Sequence, residues 1–133
     1  MATRSRIGLE LPDGSILSAY HHWDGYPEWL CRILQTHYNS KELAASLIDG
    51  GDMSSCWTDS RWDDTGVKGV YGPEYYSQRG EDTPPRFDAN LTEYLSDGEE
   101  YAYIFNRLGE WICYSICGDS ANLTEIPAGA LAV

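Results

Sequence analysis

Long hydrophobic runs are missing from this sequence of 133 residues. No apolar stretch approaches the roughly 20 residues that a membrane-spanning helix needs. The first residues, Met1 to Arg6, also lack the apolar segment of a signal peptide. These absences predict a protein of the cytoplasm that has no contact with a membrane.

Basic residues are few. Nine Lys and Arg stand against 21 Asp and Glu, so the net charge is −12 and the sequence pI is about 4.4. Direct binding of nucleic acid needs clustered Lys and Arg that neutralise phosphates, so the composition argues against it. The acidity leaves three interpretations open: a basic protein partner, imitation of a nucleic acid, or simple solubility.

Sequence motifs for metal, redox or nucleophilic chemistry are also missing. The chain has no C-x-x-C pair, no nucleophile elbow and no phosphate-binding loop. His21 and His22 are neighbours on a predicted strand, so they point to opposite faces and cannot easily hold one ion. We therefore expect no metal and no cofactor, and nothing in the sequence positively supports an enzyme. The four cysteines are predicted to be reduced, mostly buried thiols: Cys31, Cys56, Cys113 and Cys117.

Hydrophobic periodicity is present at both ends of the chain. Residues 6–22 alternate apolar and polar around a Pro-Asp-Gly turn, which predicts a hairpin. Residues 27–49 show helical spacing twice, interrupted by Asn39-Ser40, which predicts two short helices. Residues 91–117 predict a three-stranded meander whose first strand is 91–95, and 118–133 form a weakly patterned tail. Together these features predict a single α+β domain: a small antiparallel sheet with two short helices on one face.

The middle of the chain, residues 52–89, shows no sustained period and is rich in Gly, Pro and aromatic residues. Residues 49–100 hold thirteen acids and four bases. We interpret 52–89 as a long, ordered but irregular excursion. Aromatic side chains serve as interface anchors, and acids attract a basic partner. We therefore expect a protein partner with a basic surface to bind here, through Trp57, Asp59, Trp62, Asp63, Asp64, Tyr71, Tyr75, Tyr76, Glu81 and Asp82.

A second region of interest is the corner His21–Pro27, with the sequence His-His-Trp-Asp-Gly-Tyr-Pro. Pro27 suits the first position of a helix, and Asp24 can cap that helix. The structural interpretation is a strand-to-helix corner in which Trp23 and Tyr26 fill the core. The functional alternative is a small-molecule or nucleotide site, including that of a hydrolase, formed by His22, Asp24, Tyr26, Arg32 and Arg107.

The corner also carries a resemblance. The run from Ser18 to Pro27, followed by a Leu-Ile-Leu helix and the segment 47–55, resembles small uncharacterised phage and prophage proteins. The resemblance covers roughly the first 55 residues and brings no established activity. It implies an accessory protein made inside an infected bacterium. By analogy, such a protein is expected to bind and inhibit a host protein, in host takeover or in countering host defence.

Overall fold

The computed structural model describes residues 4–22, 27–58, 72–95, 100–117 and 120–124. Strands and helices are mixed along this part of the chain, so the α+β class is confirmed. A 3-10 turn spans Tyr76–Arg79. The elements follow in the order β1 (Ser5–Glu10), β2 (Ile16–His21), α1 (Pro27–His37), α2 (Lys41–Asp49), β3 (Met53–Thr58), β4 (Gly72–Tyr75), β5 (Arg86–Asp88), α3 (Leu91–Leu95), β6 (Tyr101–Phe105), β7 (Trp111–Cys117) and β8 (Ser120–Thr124).

The described strands form one sheet, in which seven follow the order β4-β3-β2-β1-β6-β7-β8 and the short β5 also pairs with β2. The central strand β1 pairs antiparallel with β2 and parallel with β6. Leu9 therefore stands between Leu17 on one side and Phe105 on the other. The β1–β6 pair joins the N-terminal and C-terminal halves of the sheet, which the predicted hairpin and meander did not connect.

The turn between β1 and β2 lies at the Pro12-Asp13-Gly14 sequence. Gly14 takes a φ of 88°, a left-handed conformation that glycine adopts without steric cost. The Asp13 carboxylate accepts hydrogen bonds from the Ser15 amide at 3.0 Å and the Ser15 hydroxyl at 2.5 Å. These bonds favour the ionised carboxylate and lower the pKa of Asp13.

The two predicted helices are confirmed, and both pack on one face of the sheet. Ser40 caps α2 by accepting a hydrogen bond from the Leu43 amide at 3.1 Å. Leu30 and Leu34 of α1, with Leu47 of α2, are buried against the sheet in the main hydrophobic core. The core lies between these helices and the inward side chains of β1, β3, β6 and β7.

The prediction of a strand at 91–95 is wrong, because this segment is the helix α3. The Asn90 side chain accepts a hydrogen bond from the Glu93 amide at 2.9 Å, and the Glu93 carboxylate accepts one from the Ala89 amide at 2.7 Å. This exchange resembles a capping box, which starts a helix. The three-stranded C-terminal unit is instead β6, β7 and β8.

Helix α3 covers the opposite face of the sheet through one tyrosine. Tyr94 is buried, and its hydroxyl donates a hydrogen bond to the Tyr103 carbonyl at 2.7 Å. A Cβ on Gly8 of β1 would come within about 3 Å of this ring, so the glycine leaves the space that Tyr94 occupies. Tyr94, Ile16, Ala102 and Ile104 form the second, smaller core.

Replacing Tyr94 by phenylalanine tests how this face is held. The change leaves the buried Tyr103 carbonyl without the hydroxyl donor, so we expect a loss of about 1–2 kcal/mol in the free energy of unfolding. The control is Tyr114→Phe, at a half-buried position on β7, where a shift below about 0.5 kcal/mol is expected. Equal losses in the two variants, measured by urea unfolding, would contradict the role of the hydrogen bond.

The prediction of an irregular excursion over 52–89 is also corrected. This stretch contains β3, β4 and β5, and β3 pairs antiparallel with β4 through two shifts in register. Those shifts break the strict alternation by which a strand is recognised in a sequence. Residues 76–85 join β4 to β5 without a strand, and residues 59–71 of the excursion lie outside the described residues.

Candidate functional site

The histidine pair of the corner is divided between the two faces of the sheet, as its adjacency predicted. His21 is fully buried on the helix side, with its ring 6.1 Å from that of Trp29. His22 is half-buried on the other side and shares a 2.6 Å hydrogen bond between its Nδ1 and the Tyr20 hydroxyl. The predicted core positions of Trp23 and Tyr26 lie outside the described residues.

The burial of His21 has an electrostatic consequence. Burial disfavours the charged imidazolium and, with a smaller effect of the neighbouring His22, lowers the pKa of His21 to about 3. The Nδ1 atom lies 3.4 Å from the Ser5 hydroxyl oxygen. The Nε2 atom has no hydrogen-bond partner among the described residues. His21 is therefore a neutral core residue at physiological pH.

The proposed ligand residues of the corner do not converge in the structure. Asp24 and Tyr26 lie outside the described residues. Arg32 is exposed on α1, which packs on the face opposite the His22 side chain. Arg107 follows β6 and contacts Glu10, at the far end of the hairpin from His22. The two ends of β1 are separated by five residue steps of about 3.4 Å, so Arg107 and His22 lie at opposite ends of the hairpin.

Nucleophilic chemistry gains no support from the described thiols. Cys31 is buried in the core, and burial raises its pKa to about 11, so it is protonated at neutral pH. Burial raises the pKa of Cys56 as well. His37, the nearest histidine in sequence to Cys31, stacks on Trp57 with ring centroids 3.7 Å apart. No group of three His, Cys, Asp or Glu that could hold a metal ion occurs in the described part of the chain.

The described residues of the predicted partner surface have different environments. Trp57 is half-buried against His37, and Tyr75 is half-buried with its hydroxyl donating to the Leu47 carbonyl at 2.6 Å. Tyr76 is also half-buried, whereas Glu81 and Asp82 are exposed. The remaining candidates lie outside the described residues: Asp59, Trp62, Asp63, Asp64 and Tyr71.

An exposed apolar residue follows these acids along the chain. Phe87, at the centre of β5, is 60% exposed. Its neighbours Arg86 and Asp88 point to the other face and form an ion pair of 2.9 Å. Leu91, at the start of α3, is 37% exposed. We use the name acidic surface for the exposed residues Glu81, Asp82, Phe87 and Leu91, which lie close in sequence. The sequence-based prediction contained its acids but neither of its apolar residues.

A cavity of about 530 Å³ lies where the start of α2 meets the ends of β1 and β6. Leu9 and Phe105, both nearly fully buried, form its apolar part. Its polar lining includes Glu10, Lys41 and Arg107. The volume falls within the range of about 300–1,000 Å³ that is usual for small-molecule sites.

The side chains around this cavity are held by turn contacts. Oε1 of Glu10 accepts a hydrogen bond from the Arg107 amide at 3.0 Å and lies 3.4 Å from the Arg107 Nε. An Nη1–H of Arg107 donates to the Pro12 carbonyl at 3.2 Å. Sequence reasoning included Arg107 but missed Glu10 and Lys41, because only the parallel β1–β6 pairing brings their segments together.

Comparison with protein-family models, with curated proteins and with solved structures finds no match to this chain. Among the described helices, none is both long and apolar enough to cross a membrane.

Proposed function

We propose that this chain is a phage-type accessory protein that binds a host protein with a basic surface in the host cytoplasm, and inhibits it. The observation that carries the proposal is that exposed carboxylates and exposed apolar side chains, those of the acidic surface, lie within eleven residues of the chain, 81–91. Burial of Phe87 and Leu91 against a partner would provide hydrophobic binding energy, while Glu81 and Asp82 would attract basic residues.

The charge of the chain supports the same proposal. Residues 49–100 carry most of the net charge of −12, with thirteen acids and four bases. A concentrated negative field raises the association rate with a basic protein, and salt screens it. The interaction is therefore expected to weaken as ionic strength rises.

The internal contacts of the aromatic candidates change which side chains we expect to act as anchors. Trp57 stacks on His37, and the Tyr75 hydroxyl donates to the Leu47 carbonyl. Mutation of Trp57 or Tyr75 would therefore disturb folding as well as binding. Phe87 is the described aromatic residue with a large exposed fraction. We therefore assign Phe87 the central hydrophobic contact, with Leu91 beside it in sequence.

The test is affinity capture from host lysate at low and high salt, followed by titration of the captured protein. Charge reversal in Glu81→Lys/Asp82→Lys is expected to weaken binding at low salt by about tenfold. The matched control is Glu42→Lys/Glu110→Lys, which changes the net charge equally at two exposed acids elsewhere. Phe87→Ser is expected to weaken binding at both salt concentrations.

Two outcomes would overturn the proposal. One is a captured protein whose affinity is unchanged in Glu81→Lys/Asp82→Lys and in Phe87→Ser. The other is an equal loss in the control Glu42→Lys/Glu110→Lys, which would show that only the net charge matters. A loss confined to the acidic-surface variants supports a localised binding site.

The second candidate function is small-molecule or nucleotide binding at the corner. The Tyr20–His22 hydrogen bond favours this function, because the bond holds a half-buried imidazole on the face of the sheet that the main core does not cover. Substitution of His22 and Asp24 by alanine in a folded protein should abolish ligand binding there. Intact binding would contradict this alternative.

A further inference from the structure

The cavity between α2 and the ends of β1 and β6 combines an apolar surface with two cations. Leu9 and Phe105 supply the apolar surface. Lys41 and Arg107, two of only nine basic residues in the chain, line the same cavity. None of the residues of the acidic surface lines it, so this site is independent of the partner proposed above.

The charges at the cavity leave an excess of positive charge. Glu10 is the acid that lines it, and its carboxylate is engaged by the backbone amide and Nε of Arg107. One further donor of the guanidinium is used by the Pro12 carbonyl, out of the five N–H groups that arginine has. Lys41 is exposed and makes no ion pair with another described residue, so its ammonium is available to a ligand.

The start of α2 adds amide donors to the same cavity wall. The first hydrogen bond of the helix runs from the Ala44 amide to the Ser40 carbonyl, and the Ser40 hydroxyl satisfies the Leu43 amide. The amides of Lys41 and Glu42 precede these bonds, at the positive end of the helix dipole. These amides and the helix dipole favour an anion near the start of α2, where Ser40 and Lys41 line the cavity.

We infer that this cavity is a binding site for a small amphipathic anion, in which an apolar body lies on Leu9 and Phe105 and a carboxylate or phosphate group lies between Lys41 and Arg107. The apolar part removes hydrocarbon from water, and the cations hold the anionic group by charge-assisted hydrogen bonds. An apolar body and an anionic group are both required, because either alone uses only part of the site.

Four simple probes test this requirement by isothermal titration with the full chain. Phenylpropionate and phenyl phosphate carry both parts, phenylpropanol lacks the charge, and inorganic phosphate lacks the apolar body. At least one of the two amphipathic anions is expected to bind saturably, and about tenfold or more tightly than phenylpropanol and inorganic phosphate. A preference for phenylpropionate identifies a carboxylate ligand, and a preference for phenyl phosphate identifies a phosphate ester.

Substitutions locate the binding. Lys41→Gln changes an exposed side chain and should fold normally, yet weaken anion binding by about tenfold, or ~1.4 kcal/mol. Arg32→Gln removes an equal charge from an exposed position on α1 that does not line the cavity, and binding should persist. Amide NMR shifts on titration should include Lys41 and Phe105.

The inference is overturned by any of three results. The first is the absence of saturable binding by either amphipathic anion up to about 10 mM, a limit that corresponds to less than ~3 kcal/mol. The second is equal affinity for phenylpropanol, which would remove the role of the cations. The third is an equal loss in Lys41→Gln and Arg32→Gln, which would indicate attraction by overall charge rather than a site.

Discussion

Alanine at Gly51 is expected to destabilise the protein by several kcal/mol. Gly51 has a φ of 85°, where a side chain costs about 1–2 kcal/mol. A Cβ at this position would also overlap the backbone carbonyl oxygen of Thr83. Because the overlap is with backbone, no side-chain rotation relieves it, and the chain around residue 83 has to move. Overpacking of this kind adds about 1–3 kcal/mol.

The movement has consequences beyond the two residues. The Thr83 carbonyl also accepts a hydrogen bond from the Asp52 amide at 3.0 Å. The Asp52 carboxylate in turn accepts one from the Tyr20 amide of β2 at 3.0 Å. Displacement of Thr83 therefore disturbs a connection that reaches from the 81–85 loop to the centre of the sheet.

Gly80→Ala is the matched control for Gly51→Ala. Gly80 has the same φ of 85°, but a Cβ there meets nothing within 4 Å. Its loss of stability should be limited to the conformational cost of about 1–2 kcal/mol. Urea unfolding of both variants measures the difference. If the two losses are equal, the overlap of the new Cβ at residue 51 with the Thr83 carbonyl oxygen contributes nothing to the loss of stability.

Acidification is expected to destabilise the protein through His21. Its pKa is about 3 in the folded protein, against 6.5 for an unperturbed histidine. Between these values the unfolded chain binds a proton that the folded protein does not, so stability falls as pH decreases. The expected loss from this group alone is roughly 3 kcal/mol between pH 7 and pH 4, at about 1.4 kcal/mol per pH unit.

Carboxylates also titrate near pH 4, so the effect of His21 has to be isolated by substitution. His21→Met removes the titrating group and keeps an apolar side chain of similar length in the core. Between pH 7 and pH 4 the unmodified protein should lose roughly 3 kcal/mol more of its free energy of unfolding than this variant does. His37→Gln, which leaves His21 in place, should retain the acid sensitivity. A pH-independent difference for His21→Met would show that the buried imidazole is not the cause.

Local sequence patterns predicted the elements whose ends are marked by strong signals. The Asp13-Gly14 turn and the Ser40 cap each depend on contacts within a few residues, and both are present. The Asn90–Glu93 capping pair was an equally local signal that the strand prediction missed, and Leu91, Tyr94 and Leu95 stand at helical spacing. The β1–β6 pairing joins segments about 95 residues apart, and no local pattern specifies such a partner.

The candidate site was predicted less well, because it depends on that distant pairing. The sequence analysis named Arg107 as a ligand residue together with His22, whereas the structure places it beside Glu10. Lys41 was not among the predicted site residues, because a lysine at the start of a helix is usually a solvated side chain. Only the parallel alignment of β1 with β6 carries the turn after Phe105 to the end of β1, where the cavity opens next to α2.

The order of strands also determines when the protein can fold during its synthesis. The hairpin of β1 and β2 leaves the ribosome before residues 101–105, which form the partner on the other side of β1. At a synthesis rate of about 5–20 residues per second, β1 waits for some seconds with an unpaired edge. Until then the emerging chain can pair that edge with another polypeptide. A ribosome-bound chain that ends before Tyr101 should therefore be protease-sensitive, whereas release of the full chain closes the sheet.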